Sequence, residues 1–311
     1  MSNICGVDVS KKVLDAFVAS SGTYCRFAND MDGIAALSRF CGSQDVDLVV
    51  MEASGGTEQM AYLMLWQADV KCAVVNAASV RFHARSLGLL EKTDRIDARV
   101  IASFAAATGV VACDPPSVDQ IHLKALVTRL SQITGDMTIN KQRLSSCTDG
   151  EARASLAEVV ALLKRQARCI EGEIASMIDD DPLWAKLAEA FSSIKGVAGR
   201  TIATLMAELP EIGLISNKAV SKLAGLAPLA DDSGKRRGKR HIKGGRTRVR
   251  TILYVISRSA SQYDDGLKAF HQRLTEAGKP KMVVRIAVAH KILVRLNAKA
   301  REARMELQNA T

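Results

Sequence analysis

Aromatic residues are scarce, 4% of a 311-residue chain, so stacking on unpaired bases is not its main way of holding a partner. No run of about 18 apolar residues exists that could span a bilayer. The first residues, Met1-Ser2-Asn3-Ile4-Cys5, show neither the basic nor the apolar stretch of a secretory leader, so a cytoplasmic protein is expected. The seven cysteines (5, 25, 41, 72, 113, 147, 169) are scattered, and none forms a Cys-x-x-Cys pair. That speaks against a zinc site and against a disulfide framework, and they read as small core residues.

What the chain does have is apolar residues and positive charge. Hydrophobic residues make up 48%, enough for a real core, and the net charge is +10. The charge is unevenly placed. Residues 1–185 hold 18 basic and 23 acidic side chains, and residues 186–311 hold 25 and 10. A basic half of this kind favours a polyanionic partner, nucleic acid before membrane.

The first third predicts strands over 3–9, 12–19 and 22–29, then over 46–51 and 70–75. The last two each follow a helical stretch, 32–41 and 57–67, which predicts parallel pairing. A helix from about Thr93 to Thr108 follows. Three antiparallel strands and then parallel crossovers is the ribonuclease-H-like order. Pro115-Pro116 marks a boundary. Between 118 and 177 apolar residues recur at helical spacing, with a break near Asp149-Gly150. This predicts two long helices, either a coiled-coil arm or a bundle packed on its own domain. Helices are expected over 183–193, 199–209, 217–225, 246–262, 265–277 and 281–307, with 226–245 irregular. The expected division is 1–115, 116–182 and 183–311.

Two constellations carry chemistry. Asp8 ends the first strand and Glu52 the fourth, and neighbouring parallel strands would put them side by side. Asp94 and Asp97, three apart at a helix start, project from one face. Four clustered carboxylates repel one another unless a cation neutralises them, and an oxygen-only set suits Mg2+ or Mn2+. Asp94 and Asp97 could instead complement a helix N-terminus or pair with Arg95 or Arg99.

The second constellation is basic. Lys195-Gly196-Val197-Ala198-Gly199-Arg200 joins two predicted helices and resembles a helix-hairpin-helix turn, whose backbone N–H groups can hold a phosphate. Then Gly234–Arg250 holds Lys235, Arg236, Arg237, Lys239, Arg240, Lys243, Arg246, Arg248 and Arg250 and no acid, too dense for an ordinary solvated face. Phosphate contact is expected, with a steep salt dependence. Ser233 precedes this tract. By composition it is a turn serine, although a hydroxyl beside cations is suited to attack a phosphodiester.

At these segments the chain resembles the DEDD transposases of the Piv/MooV invertase type, the insertion-sequence 110 family of RNA-bridged recombinases. The resemblance is carried by Gly6-Val7-Asp8-Val9-Ser10-Lys11, Met51-Glu52-Ala53-Ser54-Gly55 and Lys92-Thr93-Asp94-Arg95-Ile96-Asp97-Ala98. Later come Gly196-Val197 to Gly199, Gly225-Leu226-Ala227-Pro228, Ser233-Gly234 and Lys243-Gly244-Gly245-Arg246 running into Arg248-Val249-Arg250. It implies a RuvC-like N-terminal domain with a metal tetrad of Asp8, Glu52, Asp94 and Asp97, a helical arm, and a mostly helical C-terminal transposase domain. It further implies that Ser233 is a nucleophile acting with that metal site. The implied partners are donor and target DNA, a structured non-coding RNA that bridges them, and further copies of the chain, dimers assembling to a tetramer in a bacterial cytoplasm. Two other readings compete. One is a metal-dependent junction resolvase or nuclease in which Ser233 is idle. The other is a non-catalytic nucleic-acid-binding protein with a structural acidic cluster.

Overall fold

The computed structural model describes residues 2–89, 91, 93–234 and 236–310. The chain divides into two compact units, Met1–Pro116 and Ser117–Thr311.

The first unit is built on a five-stranded sheet. Strands β1 (Ile4–Val9), β2 (Val13–Val18) and β3 (Tyr24–Ala28) form an antiparallel meander, and β4 (Leu48–Glu52) and β5 (Cys72–Val75) add in parallel, giving the order β3-β2-β1-β4-β5. This is the ribonuclease-H-like arrangement expected from the sequence. Helices α1 (Met31–Ser43) and α2 (Gln59–Gln67) follow β3 and β4, and α3 (Ala77–Ser86) and α4 (Asp94–Thr108) follow β5. The short α3 is an element that the apolar periodicity did not mark separately. Local chemistry sets the helix ends. Asp30 accepts from the Gly33 N–H to start α1, Asn76 caps α3, and Thr93 accepts from the Ile96 N–H to start α4. Gly109, left-handed at φ 64°, stops α4.

The period-two alternation sorts the strands into two faces. Cys5, Val7 and Val9 of β1 pack with Ile34 and Leu37 of α1 and Leu65 of α2. Ile4 of β1 and Val50 of β4 pack with Val100, Ile101 and Ala105 of α4. Gly6 lies on this second face, where α4 comes so close that any Cβ would overlap the Ala98 carbonyl and the Ala102 N–H. A residue without a side chain is therefore what seats α4 on the centre of the sheet.

The second unit is helical. Helices α5 (Val118–Ser146) and α6 (Gly150–Asp180) form an antiparallel pair, with His122 against Glu173 at one end and Arg153 against the Leu144 carbonyl at the other. Ser117 and Asp149 cap them. Their roots share one core with the helices that follow. Leu123 and Leu130 of α5, with Ile174 of α6, join Phe191 of α7 (Pro182–Ser192) and Leu205 of α8 (Gly199–Glu208). The same core takes in Leu253 of α10 (Thr247–Tyr263), Leu267 of α11 (Asp265–Glu276) and Leu293 of α12 (Lys281–Ala310). The short α9 (Asn217–Leu223) lies between α8 and the basic tract. Asn297, wholly buried on α12, takes the Gly213 N–H at 2.8 Å and donates to the Ile215 carbonyl and to Asn217, which pins the loop before α9.

Residues 226–245 are not irregular throughout. A small hairpin, β6 (Asp232–Ser233) with β7 (Arg236–Arg237), is extended by a bridge between Leu229 and His241. Its base is closed by glycines. Gly225 and Gly245 both have positive φ (66° and 72°), and their backbones meet where a Cβ on either would overlap the other strand. Arg250 then donates to the Gly244 carbonyl at 2.6 Å.

Candidate active site and nucleic-acid interface

In the first unit, strand register places the carboxylates. Val7 pairs with Met51 in the parallel β1–β4 ladder, so Asp8 and Glu52 are the next neighbours at the strand ends. Asp8 follows Gly6 on the α4 face, and Glu52 follows Val50 on the same face. The contact of Gly6 with Ala98 and Ala102 brings the preceding turn of α4, which carries Asp94 and Asp97, toward that end of the sheet. The sheet and α4 thus bring the four predicted carboxylates to one end of one face.

The sequence reading missed Asp15 and Arg26. Asp8 pairs with Asp15 on β2, and Asp15 with Arg26 on β3, so the row continues across the same face. Asp15 is only 2% exposed. It accepts from the Tyr24 hydroxyl and from Arg26 Nε at 2.8 Å. Arg26 also reaches α4, with Nη2 2.7 Å from Asp94, and Arg95 lies over the Tyr24 ring at 5.4 Å. The hydrogen bond and charge of Asp15 hold the Arg26 guanidinium protonated even more firmly than usual. Asp15 also pushes the Tyr24 phenol up, chiefly through their hydrogen bond. The alternation of β2 was the available signal, since Asp15 interrupts an otherwise apolar strand.

The donor set fits a hard divalent cation, being oxygen only and drawn from two strand ends and a facing helix start. The side chains are not gathered in this conformation. Among the described residues no three His, Cys, Asp or Glu side chains form a group able to hold a metal ion. Asp94 is held by Arg26, and Asp8, Glu52 and Asp97 are all engaged in interactions of their own.

In the second unit, the predicted phosphate contacts divide. Arg246 forks onto Glu211 (2.5 and 2.6 Å) and also donates to the Glu208 carbonyl, so it braces the start of α10. Burial alone would raise the Glu211 carboxyl, but the hydrogen bonds from Arg246 and the backbone outweigh it and leave it below its ordinary value. Arg248 pairs with Glu208 at 3.0 Å and bonds Thr128, and Arg250 serves the glycine closure. Arg240 pairs with Asp232, whose carboxyl is lowered mainly by that hydrogen bond. Arg236, Arg237, Lys239 and Lys243 have no acidic partner among the described residues, and all four are exposed. Lys235 lies outside the described residues. In the Gly-x-x-Gly turn, Gly196 (φ 90°) lets the backbone approach Ala260 of α10, which is a packing role. Lys195 and Gly199 are exposed, α8 starts at Ala198 without a side-chain cap, and Arg200 pairs with Glu171 at 2.6 Å. Arg200 and Arg248 line one mostly apolar groove of about 300 Å³.

Ser233 is exposed on β6, and among the described residues no side chain contacts its hydroxyl within hydrogen-bond distance.

A sheet of this order with a carboxylate row at its strand ends, joined in one chain to a basic helical unit, defines an enzyme that acts on DNA. Comparison with known proteins agrees. A DEDD-type IS110 model described as "Transposase" matches residues 5–151, and one described as "Transposase IS116/IS110/IS902 family" matches residues 188–272. Two curated relatives, the pilin gene-inverting proteins of Moraxella lacunata and Moraxella bovis, are each 24% identical over 307 residues, covering 93% of this chain and 92% of theirs. Among solved structures, Thermus thermophilus RuvC in complex with a Holliday junction substrate overlaps 36% of this chain and 99% of its own at 14% identity, with a TM-score of 0.28. That overlap is too slight to argue from, and the fold class stands on strand order and register. The chain belongs to the insertion-sequence 110 family of DEDD transposase-like recombinases, related to the Piv/MooV-type site-specific recombinases. Its family is one with a divalent-metal-dependent site.

One expectation is overturned. The serine-nucleophile mechanism has no support in the matched families, of which the first is of the DEDD type and neither is described by a serine chemistry. Among the described residues no side chain is hydrogen-bonded to the Ser233 hydroxyl to take its proton, and Ser233 is exposed. Ser233 is the last residue of β6, paired with Arg236 just before the turn of the basic hairpin. The guided-recombination function built on that serine falls with it, and the metal-dependent nuclease or recombinase without covalent serine catalysis is the reading the findings favour.

Proposed function

We propose that the chain is a divalent-metal-dependent nuclease of DNA recombination, whose cutting groups are Asp8, Glu52, Asp94 and Asp97. The observation that carries this is the register: Asp8 and Glu52 end adjacent parallel strands on the face where the first turn of α4 brings Asp94 and Asp97. When bound, Mg2+ or Mn2+ supplies charge neutralisation and activation of the attacking water during phosphodiester cleavage. The protein's part is to position. The sheet holds Asp8 and Glu52 rigidly, since their strands are buried on both sides. Helix α4 carries Asp94 and Asp97 on a turn fixed by the Thr93 cap. Arg26 balances the charge of Asp15 and Asp94 and keeps the buried Asp15 compensated.

DNA is the substrate, gripped through phosphates by Arg236, Arg237, Lys239 and Lys243 of the hairpin, with Lys195, Gly196, Gly199 and Arg200 as further contacts. Lys235 belongs to the same tract. Arg240, Arg246, Arg248 and Arg250 hold the shape of the surface that presents these cations. The finer partner reading rests on the resemblance alone: a structured RNA, association of dimers into a tetramer, and a cytoplasmic setting. No described helix is long and apolar enough to cross a membrane.

The test is cleavage of a branched DNA with Mg2+ or Mn2+ by wild-type protein and by Asp8→Asn, Glu52→Gln, Asp97→Asn and Ser233→Ala. The first three lose cleavage and calorimetric metal binding, and Ser233→Ala retains both. Cleavage at the wild-type rate by Asp8→Asn would remove the metal-site reading.

A further inference from the structure

A cavity of about 700 Å³ lies where the second half of α10, the end of α11 and the start of α12 meet. Its walls carry Arg258, His271, Lys279, Lys281 and Arg285, and no carboxylate lines it. None of these residues belongs to the 234–250 tract or to the Gly196–Gly199 turn, and three of the five lie beyond residue 272, where the second family match ends.

Elsewhere in this unit basic side chains near acids are paired: Arg295 with Asp264, Arg240 with Asp232, Lys186 with Glu306. Around this cavity the cations stand together without ion pairs among the described residues. Arg285 is held in place. Its guanidinium lies 3.8 Å from the Tyr254 ring centroid, and Nη2 donates to the Tyr254 carbonyl at 3.1 Å. Its Nε is buried with no acceptor. Arg258, Lys279 and Lys281 are exposed at the rim. Like charges gathered in one concavity focus a positive potential, so an anion bound there is stabilised.

The wall chemistry narrows the anion. The Ser257, Ser261 and Thr275 hydroxyls donate back to carbonyls of their own helices and are not spent on a ligand. Val284 is the one apolar side chain in the lining. A site for a free nucleotide would need an apolar or aromatic wall for the base. With four cations around it and only Val284 and the His271 ring to meet a base, this one favours phosphates.

We propose that this cavity is a second nucleic-acid site, which takes the phosphodiester backbone of a strand through Arg258, Lys279, Lys281 and Arg285. The proposal rests on the reading of the chain as a DNA-handling enzyme and adds a contact that neither the basic hairpin nor the family match supplies.

The experiment measures binding of a duplex oligonucleotide across a salt series, for the full chain and for two charge-matched triple variants. Arg258→Gln/Lys279→Gln/Lys281→Gln empties the rim, and Lys164→Gln/Arg165→Gln/Arg168→Gln on α6 controls for net charge. Melting curves confirm that both stay folded, as all six side chains are exposed. The cavity variant is expected to bind at least about tenfold more weakly and to lose about 2–3 from the magnitude of the log–log salt slope, about one per cation, while the control keeps the wild-type slope. Equal slopes for the two variants overturn the proposal and leave the hairpin reading intact. Absence of salt-dependent binding by the wild type removes the DNA-handling reading itself, and this proposal with it. Calorimetry with ATP and with inorganic phosphate is the free-phosphate arm. Tight ATP binding that the cavity variant loses, with an unchanged duplex slope, assigns the site to a free nucleotide and overturns the strand assignment.

Discussion

The two units are built from opposite materials. The first holds 10 basic and 13 acidic residues and folds around a sheet whose one end carries a row of carboxylates. The second holds 33 basic and 20 acidic residues and is almost wholly helical. A metal-dependent cut needs oxygen ligands fixed by a rigid frame, and strand ends buried on both sides supply that. A grip on DNA needs many exposed cations over a wide surface, which helices and a hairpin present readily. The second unit also spends arginines on itself. Arg246, Arg248 and Arg250 are as basic as Arg236 and Arg237, yet they hold Glu211, Glu208 and the Gly244 carbonyl.

The largest effect should separate the units outright. Asp8→Asn or Asp97→Asn is expected to cost at least about 10³-fold in cleavage, the scale of several kcal/mol of lost charge stabilisation, with duplex affinity unchanged in a filter-binding assay. A parallel loss of affinity would mean that cutting and gripping are not divided as described.

Next comes Gly6→Ala. With the Ala98 carbonyl and the Ala102 N–H in the way of a Cβ, it should destabilise the first unit by about 1–3 kcal/mol and lower the denaturant midpoint of that unit's unfolding. An unshifted transition would contradict the close seating of α4.

Within the second unit, Arg246→Ala should cost roughly 1–2 kcal/mol of stability, discounted because the pair is about one-third exposed. Arg237→Ala should leave stability unchanged and reduce the salt slope by about 1. The reverse outcome would redraw which arginines are structural.

The smallest effect is that of pH. Glu211 and Asp264 both titrate below their ordinary values in the folded chain. In each, burial works upward, and hydrogen bonds from the backbone and from Arg246 or Arg295 outweigh it. A carboxyl lowered on folding adds stability that is complete above the ordinary carboxylate range and is lost as pH falls through that range toward the lowered value. The second unit's melting temperature should therefore decline below about pH 4.5, and Arg246→Ala should flatten that decline. An equal slope in the variant would show that the pair adds no pH-dependent stability.

Much of the first unit was legible beforehand because short buried strands and their connections admit few arrangements. Given β1 and β4 as parallel neighbours, Asp8 beside Glu52 follows from register. Asp15 and Arg26 were not legible as a pair, since nothing local to Val13–Val18 or Tyr24–Ala28 states that their side chains reach α4. In the second unit the density of positive charge between 234 and 250 was plain, but its division was not. Whether an arginine meets a phosphate or a carbonyl depends on what lies opposite it. Gly225 and Gly245 were visible as motif residues, yet their contact is between segments twenty residues apart.

The sequence by itself determined the order of elements, the boundary near Pro116, the carboxylates at strand ends and the basic excess, because each follows from local periodicity, capping and composition. Only the tertiary structure decided that Arg26 holds Asp94, that four of the six arginines in the basic tract are braces, that no described side chain bonds the Ser233 hydroxyl, and that four cations from α10, α12 and the α11–α12 connection line one cavity. Those facts rest on distances between side chains remote in sequence, which only packing brings about.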